Sequence, residues 1–244
     1  MKTITPSVKG NGRTVDALRD PAPAPDPGAR EVINQLAQSR YFKEYQDAFS
    51  HFTGLPLALR SRDFWKLPMH ECLYENPLCQ SIADNQAACA ACLELQMKLT
   101  NSAQAAPAAM TCPLGLIDIA VPVKLDGECQ AYLHTGQFYL RQPSAGRFKS
   151  VLRRLREWHV ETDVTELKAA FASAAVLSHC QQDALMQLLN QFAIQLSAQA
   201  NRILLNGRQA EPPLVTQAKQ YMAENLAEPI SLDDISRYLH VSTY

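Results

Sequence analysis

An α/β (α+β) fold, built on an antiparallel pair of strands with helices around it, is what this sequence predicts, and three observations carry the prediction. Apolar residues alternate from Leu116 to Leu125 and again from Glu128 to Phe138, on either side of Asp126-Gly127; this is the pattern of two strands joined by a tight hairpin turn. Before and after this stretch, apolar residues recur at three- and four-residue spacing, the period of amphipathic helices. An isolated hairpin is marginal in water, so these strands must pair with others or pack under helices. The hairpin is therefore the expected centre of the fold.

The 244 residues are 47% hydrophobic and 19% charged, enough for a real core in one large domain or two ordinary ones. A net charge of −1 gives the chain as a whole no electrostatic footprint for nucleic acid or an anionic membrane. Any DNA binding has to be argued locally. The start, MKTITPSVKGNGR, has no apolar leader, and no stretch approaches the roughly 18 consecutive apolar residues of a membrane helix. The expectation is a cytoplasmic protein with no membrane partner. Seven cysteines, an odd number without an export signal, argue for reduced thiols rather than a disulfide framework.

In chain order, residues 1–29 are polar and close in DPAPAPDPG, which favours a disordered, polyproline-like arm. From Arg30, Val32, Ile33, Leu36, Tyr41, Tyr45, Phe49 and Phe52 predict one amphipathic helix ended by Gly54. Leu55 to Leu59 suits a short strand. Asn76-Pro77 is a helix-start signal, with Asn76 as N-cap and Pro77 in the first turn. Asp84 or Asn85 caps a second helix from Gln86 to about Ala105. After the hairpin, Pro143-Ser144 opens a helix whose Phe148, Val151, Leu152, Leu155 and Trp158 mark a buried side, while Lys149, Arg153, Arg154 and Arg156 make it locally basic. Ser178 to about Leu205 is a long helix. Its Leu185, Leu189, Phe192, Leu196 and Ile203 follow a heptad-like seam, open to two readings: packing on its own domain, or a dimer-forming connector over 178–206. Asn206-Gly207 is expected to end it, and GRQAEPP to form a linker. Leu214 to Leu226 then predicts a helix, and Ser231-Leu-Asp-Asp the capped start of another over Leu232 to Leu239.

This last unit, 207–244, carries a specific resemblance. VTQAKQYMAENL followed by ISLDDISRYLHVSTY resembles the start of the AraC/XylS-type DNA-binding domain of transcriptional regulators. The resemblance implies that Leu232 to Leu239 is the first helix of a helix-turn-helix, and that Ser242, Thr243 and Tyr244 begin the recognition helix that enters the major groove. A complete domain of that family has about 100 residues and two such motifs, against about 30 residues here. Lys219 and Arg237 face Glu224, Glu228, Asp233 and Asp234, a local balance unsuited to phosphates. The expectation is a truncated product or partial sequence, with impaired DNA binding.

Residues 30–177 carry a second resemblance. The FTGLPL turn, NPLCQSIADNQAACAACLELQ, TCPLGLIDIAVPVKLDGE and TGQF together are similar to the PocR-type sensory domain, which is often found ahead of AraC-type modules. That resemblance implies a PAS-like fold, a central antiparallel sheet flanked by helices, binding a small organic ligand. Where strand side chains face a helix, an apolar cavity with a few orienting polar groups is expected. Phe64, Trp65, Leu116, Val121 and Tyr132 are candidate walls, and Asp118, His134 and Gln137 candidate polar contacts. Each is also an ordinary core residue type.

The cysteines leave three readings open. Cys89 and Cys92 share one helix face, with Cys79 on the preceding helix and Cys112 at the strand entrance, so the four can converge. Four thiolates suit zinc or an iron–sulfur cluster, although C-x9-C-x2-C-x19-C is not a knuckle or ribbon spacing. Buried thiols and redox-active thiols are the alternatives. No nucleophile elbow, glycine-rich phosphate loop or HExxH motif occurs, and the six histidines are scattered, so catalysis is not expected. The resulting expectation is a homodimeric regulator with a sensory domain. A metal- or redox-sensing module acting through protein contacts, or a small-molecule carrier, is the alternative.

Overall fold

The structure is a computed structural model that describes residues 27–64, 66–209, 213–225 and 230–242. Helix α1 (Pro27–Gln38) begins inside the segment expected to be a disordered arm, and α2 (Arg40–Thr53) follows it. The single helix expected from Arg30 is thus two. Ser39 is the reason: it takes extended backbone, and its Oγ accepts the Phe42 N–H as N-cap of α2, a local bond that competes with helix continuation. Gly54, at φ +67, closes α2 by donating its N–H to Ser50 O, the left-handed C-cap that glycine accepts without steric cost.

Strand β1 (Leu57–Ser61) leads to the short helix α3 (Pro77–Gln80), started by the Asn76 cap, and to α4 (Gln86–Ser102), whose cap is Asn85. Strand β2 (Ala108–Thr111) lies between α4 and the hairpin, where the sequence reading places no strand. The hairpin is β3 (Ile117–Leu125) and β4 (Glu128–Phe138), turning at Asp126 and Gly127, both at positive φ, as the right-handed twist of paired strands favours. The four strands form one antiparallel sheet in the order β1-β4-β3-β2. Helices α5 (Ala145–Glu157) and α6 (Val164–Ser173) pack beyond its end. The long α7 (His179–Gln209) continues through the Asn206-Gly207 pair expected to stop it. With flanking helices on this sheet, the α/β prediction and the PAS-like architecture hold.

The sheet is covered on both faces. Leu57, Leu59, Ile119, Val121, Val123 and Leu133 point to one side, where Ile33, Leu36, Phe42 and Phe49 of α1 and α2 meet Leu185, Leu189, Phe192, Leu196 and Ala200 of α7. Each fully buried Leu or Phe here contributes about 1.5–3 kcal/mol. The heptad-like seam is therefore occupied by the protein's own sheet, and it is not the free stripe a dimer-forming connector would present. Directional bonds fix the register of α7 on the hairpin: Ser197 Oγ accepts from Lys124 N at 2.9 Å, and Asn201 Oδ1 from Asp126 N at 2.9 Å. Ser197→Ala is expected to cost about 1 kcal/mol, read as a lower urea midpoint that does not change with protein concentration. Among the described residues no helix is long and apolar enough to cross a membrane.

Candidate functional site

The other sheet face is less apolar. Side chains of one strand alternate between faces, so Ala58, Arg60, Asp118, Ala120, Pro122, Tyr132 and His134 share the side that α4 covers. Leu99 of α4 and its C-cap Ala103 pack on Ala120 and Tyr132, while the rest of the interface holds two adjoining cavities. The inner one, about 50 Å³, lies between α3, α4 and the start of β3, lined among others by Leu116, Asp118, Gln137, Trp158 and Cys79, Cys89, Cys92 and Cys112. At roughly 10–15 Å³ per water, it has room for a molecule of a few heavy atoms. The outer one, about 300 Å³, is lined by Phe64, Tyr132, His134, Met97 and Thr100, with Arg62, Asp63 and Lys66. Gln96 and Pro68 line both.

Asp118 is the polar centre of the inner cavity. Its Oδ2 accepts from Gln96 Nε2 at 3.0 Å and its Oδ1 from Gln137 N at 3.2 Å. Burial pushes its carboxyl up to about 7, against the lowering effect of those two bonds. The Thr135-Gly136-Gln137 run holds this arrangement. Thr135 Oγ1 donates to Pro56 O at 2.7 Å. Gly136, at φ +145, leaves the space that the Asp118 carboxylate occupies. Gln137 takes φ +61, a conformation that costs a non-glycine residue about 1–3 kcal/mol. There its Oε1 accepts from Asn76 N at 2.6 Å and its carbonyl from Asn76 Nδ2 at 3.0 Å. The cap of α3, the pocket carboxyl and the β4 bulge are thereby one hydrogen-bonded unit.

Three buried polar atoms of residues lining these cavities have no hydrogen-bond partner among the described residues: His134 Nδ1, Gln96 Oε1 and Asp63 Oδ1. Burial, with the nearby Arg60 charge, pushes His134 down to about 3, so its ring is neutral. Arg60 donates from Nε to Pro68 O at 3.1 Å and lies 4.9 Å over the Phe64 ring.

The four cysteines do line one cavity, yet among the described residues no group of three or more His, Cys, Asp or Glu side chains is arranged to hold a metal ion. Burial, with Asp118 nearby, pushes Cys92 and Cys112 up to about 12, and burial with the neighbouring Cys112 holds Cys79 well above the ordinary thiol range, so in the metal-free protein these side chains are thiols at neutral pH. The four cysteines expected as zinc or iron–sulfur ligands thus share a cavity without forming such a group in this arrangement of the described residues.

Of the residues expected at the ligand site, Leu116, Asp118 and Gln137 meet at the inner cavity, and Phe64, Tyr132 and His134 at the outer. Val121 is a correction: it is odd in the alternation that places Asp118 and Ala120 toward α4, and it is buried against α7 instead. Trp65 lies outside the described residues. Gln96 was not anticipated, although it falls four residues after Cys92 and seven after Cys89, on the same helical face. Ser242 is exposed just past α9 (Leu232–Leu239), and Thr243 and Tyr244 lie outside the described residues.

Comparison with known proteins places the described site within a recognised sequence pattern. A family model described as the sensory domain found in PocR matches residues 35–201, a span that runs from α1 through most of α7. No curated protein and no solved structure matches the chain.

Proposed function

Because the chain belongs to the family of sensory domains found in PocR, we propose that it senses a small organic molecule bound in the inner cavity. The reading adds that it passes the signal through β3 to α7. The observation that carries this is Asp118: a buried carboxyl on the cavity face of β3, while Ile119 and Val121 of the same strand pack on α7. A ligand that bonds to Asp118 or Gln96 loads the strand whose far face seats the long helix. Such a signal requires different ligand affinity for two placements of α7, a shift of populations rather than a push.

The output in this reading is transcriptional. Helix α9 has the Ser231–Asp234 capping box and ends at His240 in the left-handed region, the helix and turn with which an AraC-type motif begins. Tyr238 of α9 stacks at 4.6 Å on Tyr221 of α8 (Pro213–Glu224). We assign DNA binding to this unit as part of an AraC-type domain, with the sensor acting in the cytoplasm and without catalysis. In a homodimer, the outer side of α7, where Ile194 and Leu205 are exposed, is the face left for contact, since the seam is buried. Convergence of four thiols on one cavity favours a second reading, redox sensing through protein contacts.

Thermal unfolding and tryptophan fluorescence against small alcohols, aldehydes, ketones, sugars and aliphatic and aromatic acids test the proposal. A true ligand at a hundredfold excess over Kd is expected to stabilise by about 2.7 kcal/mol, a Tm rise of about 5–11 °C. Cys89→Leu, which fills the inner cavity, is expected to abolish the rise. Silence across the panel, or equal stabilisation of both proteins, would overturn the assignment. A Tm rise that persists when all four cysteines are serine would exclude the redox reading.

A further inference from the structure

Resting on the reading of the chain as a small-molecule sensor, we propose that the outer cavity is a carboxylate subsite. The ligand class is then a small hydroxycarboxylic acid that spans the Gln96 partition. Three observations meet there. The cavity, about 300 Å³, has an apolar wall from Phe64, Tyr132 and Met97, enough for the body of a short-chain or single-ring molecule.

Its polar groups form a complementary pair. His134, only 4% exposed, turns to this cavity with Nδ1 unbonded among the described residues. A neutral imidazole there presents one N–H, which a carboxylate oxygen accepts. Gln96 commits its Nε2 to Asp118 and leaves Oε1, a pure acceptor, without a partner at the boundary between the cavities. A ligand O–H satisfies it. A ligand carrying both groups satisfies both of these buried atoms at once.

The third observation is charge. Arg62 and Lys66 line the cavity, and Arg60 stands beside it over Phe64. The one acid in the lining among the described residues, Asp63, is paired through Oδ2 with Arg30 at 3.2 Å, and its buried Oδ1 is a further acceptor for a ligand O–H. Among the described lining residues the cations outnumber the single carboxylate, a local excess of positive charge in a chain of net charge −1 that favours an anion. A neutral polyol would gain nothing from that field.

The test uses matched trios at about 50 mM salt, where rim charges are weakly screened: 4-hydroxybenzoate with benzoate and 4-hydroxybenzamide, mandelate with phenylacetate and mandelamide, and 3-hydroxybutyrate with butyrate and 3-hydroxybutyramide. Calorimetric titration of the full chain is expected to show at least one hydroxy acid binding tenfold or more tighter than both its deoxy acid and its amide. The partly exposed Arg62 and exposed Lys66, replaced together by glutamine, are expected to cut hydroxy-acid affinity at least tenfold and leave the amide unchanged. The subsite is overturned if no hydroxy acid binds, if acid and amide bind alike, or if the double variant binds the acid as the wild type does. Neutral compounds that still bind in a Cys89-dependent way would leave the inner-cavity sensor standing while this subsite fails.

Discussion

Gly136→Ala is expected to destabilise the protein by about 3–5 kcal/mol, a fall in Tm of about 6–20 °C, with loss of the cavity's polar centre. A β-carbon on residue 136 would stand 2.5 Å from Ile117 O, 2.6 Å from Asp118 Cα and 2.8 Å from Asp118 Oδ1. The first two are backbone atoms of the neighbouring strand and cannot swing aside. The backbone at φ +145 adds strain of its own, since L side chains rarely adopt it. Relief would require β4 to part from β3 at the bulge between Ile117 and Asp118. That movement would also pull Gln137 from Asn76 and uncap α3. Chemical denaturation with far-ultraviolet circular dichroism checks this, and a midpoint within the error of the wild type would refute the close approach.

Asp118→Asn is expected to act in the opposite direction, and only above acidic pH. The carboxyl titrates near 7 in the folded protein and near 3.9 in the unfolded chain. Between those values the folded state holds a proton that the unfolded state has released, so stability from this group falls as pH rises through the window. It is full below about pH 4 and lost above about pH 7, a span of roughly 4 kcal/mol. Asparagine does not titrate. Its oxygen can still accept the Gln137 N–H, and its amide can donate to Gln96 Oε1 after the Gln96 amide turns over. The difference in unfolding free energy between variant and wild type should therefore be near zero at pH 4 and several kcal/mol in favour of the variant at pH 8. Urea titrations at four or five pH values measure it, and a difference independent of pH would show that Asp118 is not held in the raised state. The comparison is between two proteins that share every other titrating group, so those groups cancel.

These two residues also show how far the candidate site is legible from the chain. Asp118 and Gly136 stand out as polar and small interruptions in strands that otherwise alternate cleanly, and alternation alone puts Asp118 and Ala120 on one face and Val121 on the other. That parity corrects Val121 without any tertiary information. Gln96 follows from the helical period that joins Cys89 and Cys92. His134 and Tyr132 were readable as one face of β4, but the helix they would meet was not, because which face α4 covers depends on a crossover through two loops.

What the sequence by itself determined is local: the hairpin with its Asp126-Gly127 turn, the caps at Asn76, Asn85, Ser144 and Ser231, and the left-handed stop at Gly54. Each depends on interactions within a few residues, where side-chain chemistry and chain geometry leave one favourable solution. Only the tertiary structure decided that the seam of α7 is consumed by β3, that β2 completes the sheet, and that four cysteines share a cavity. It also decided that Gln137 joins the cap of α3 to the carboxyl of Asp118. Those outcomes bring together groups tens of residues apart, such as Asn76 and Gln137 or Lys124 and Ser197. An apolar stripe or a thiol has the same local signature whether its partner is its own sheet, a second chain or an ion, and only the packed chain selects among them.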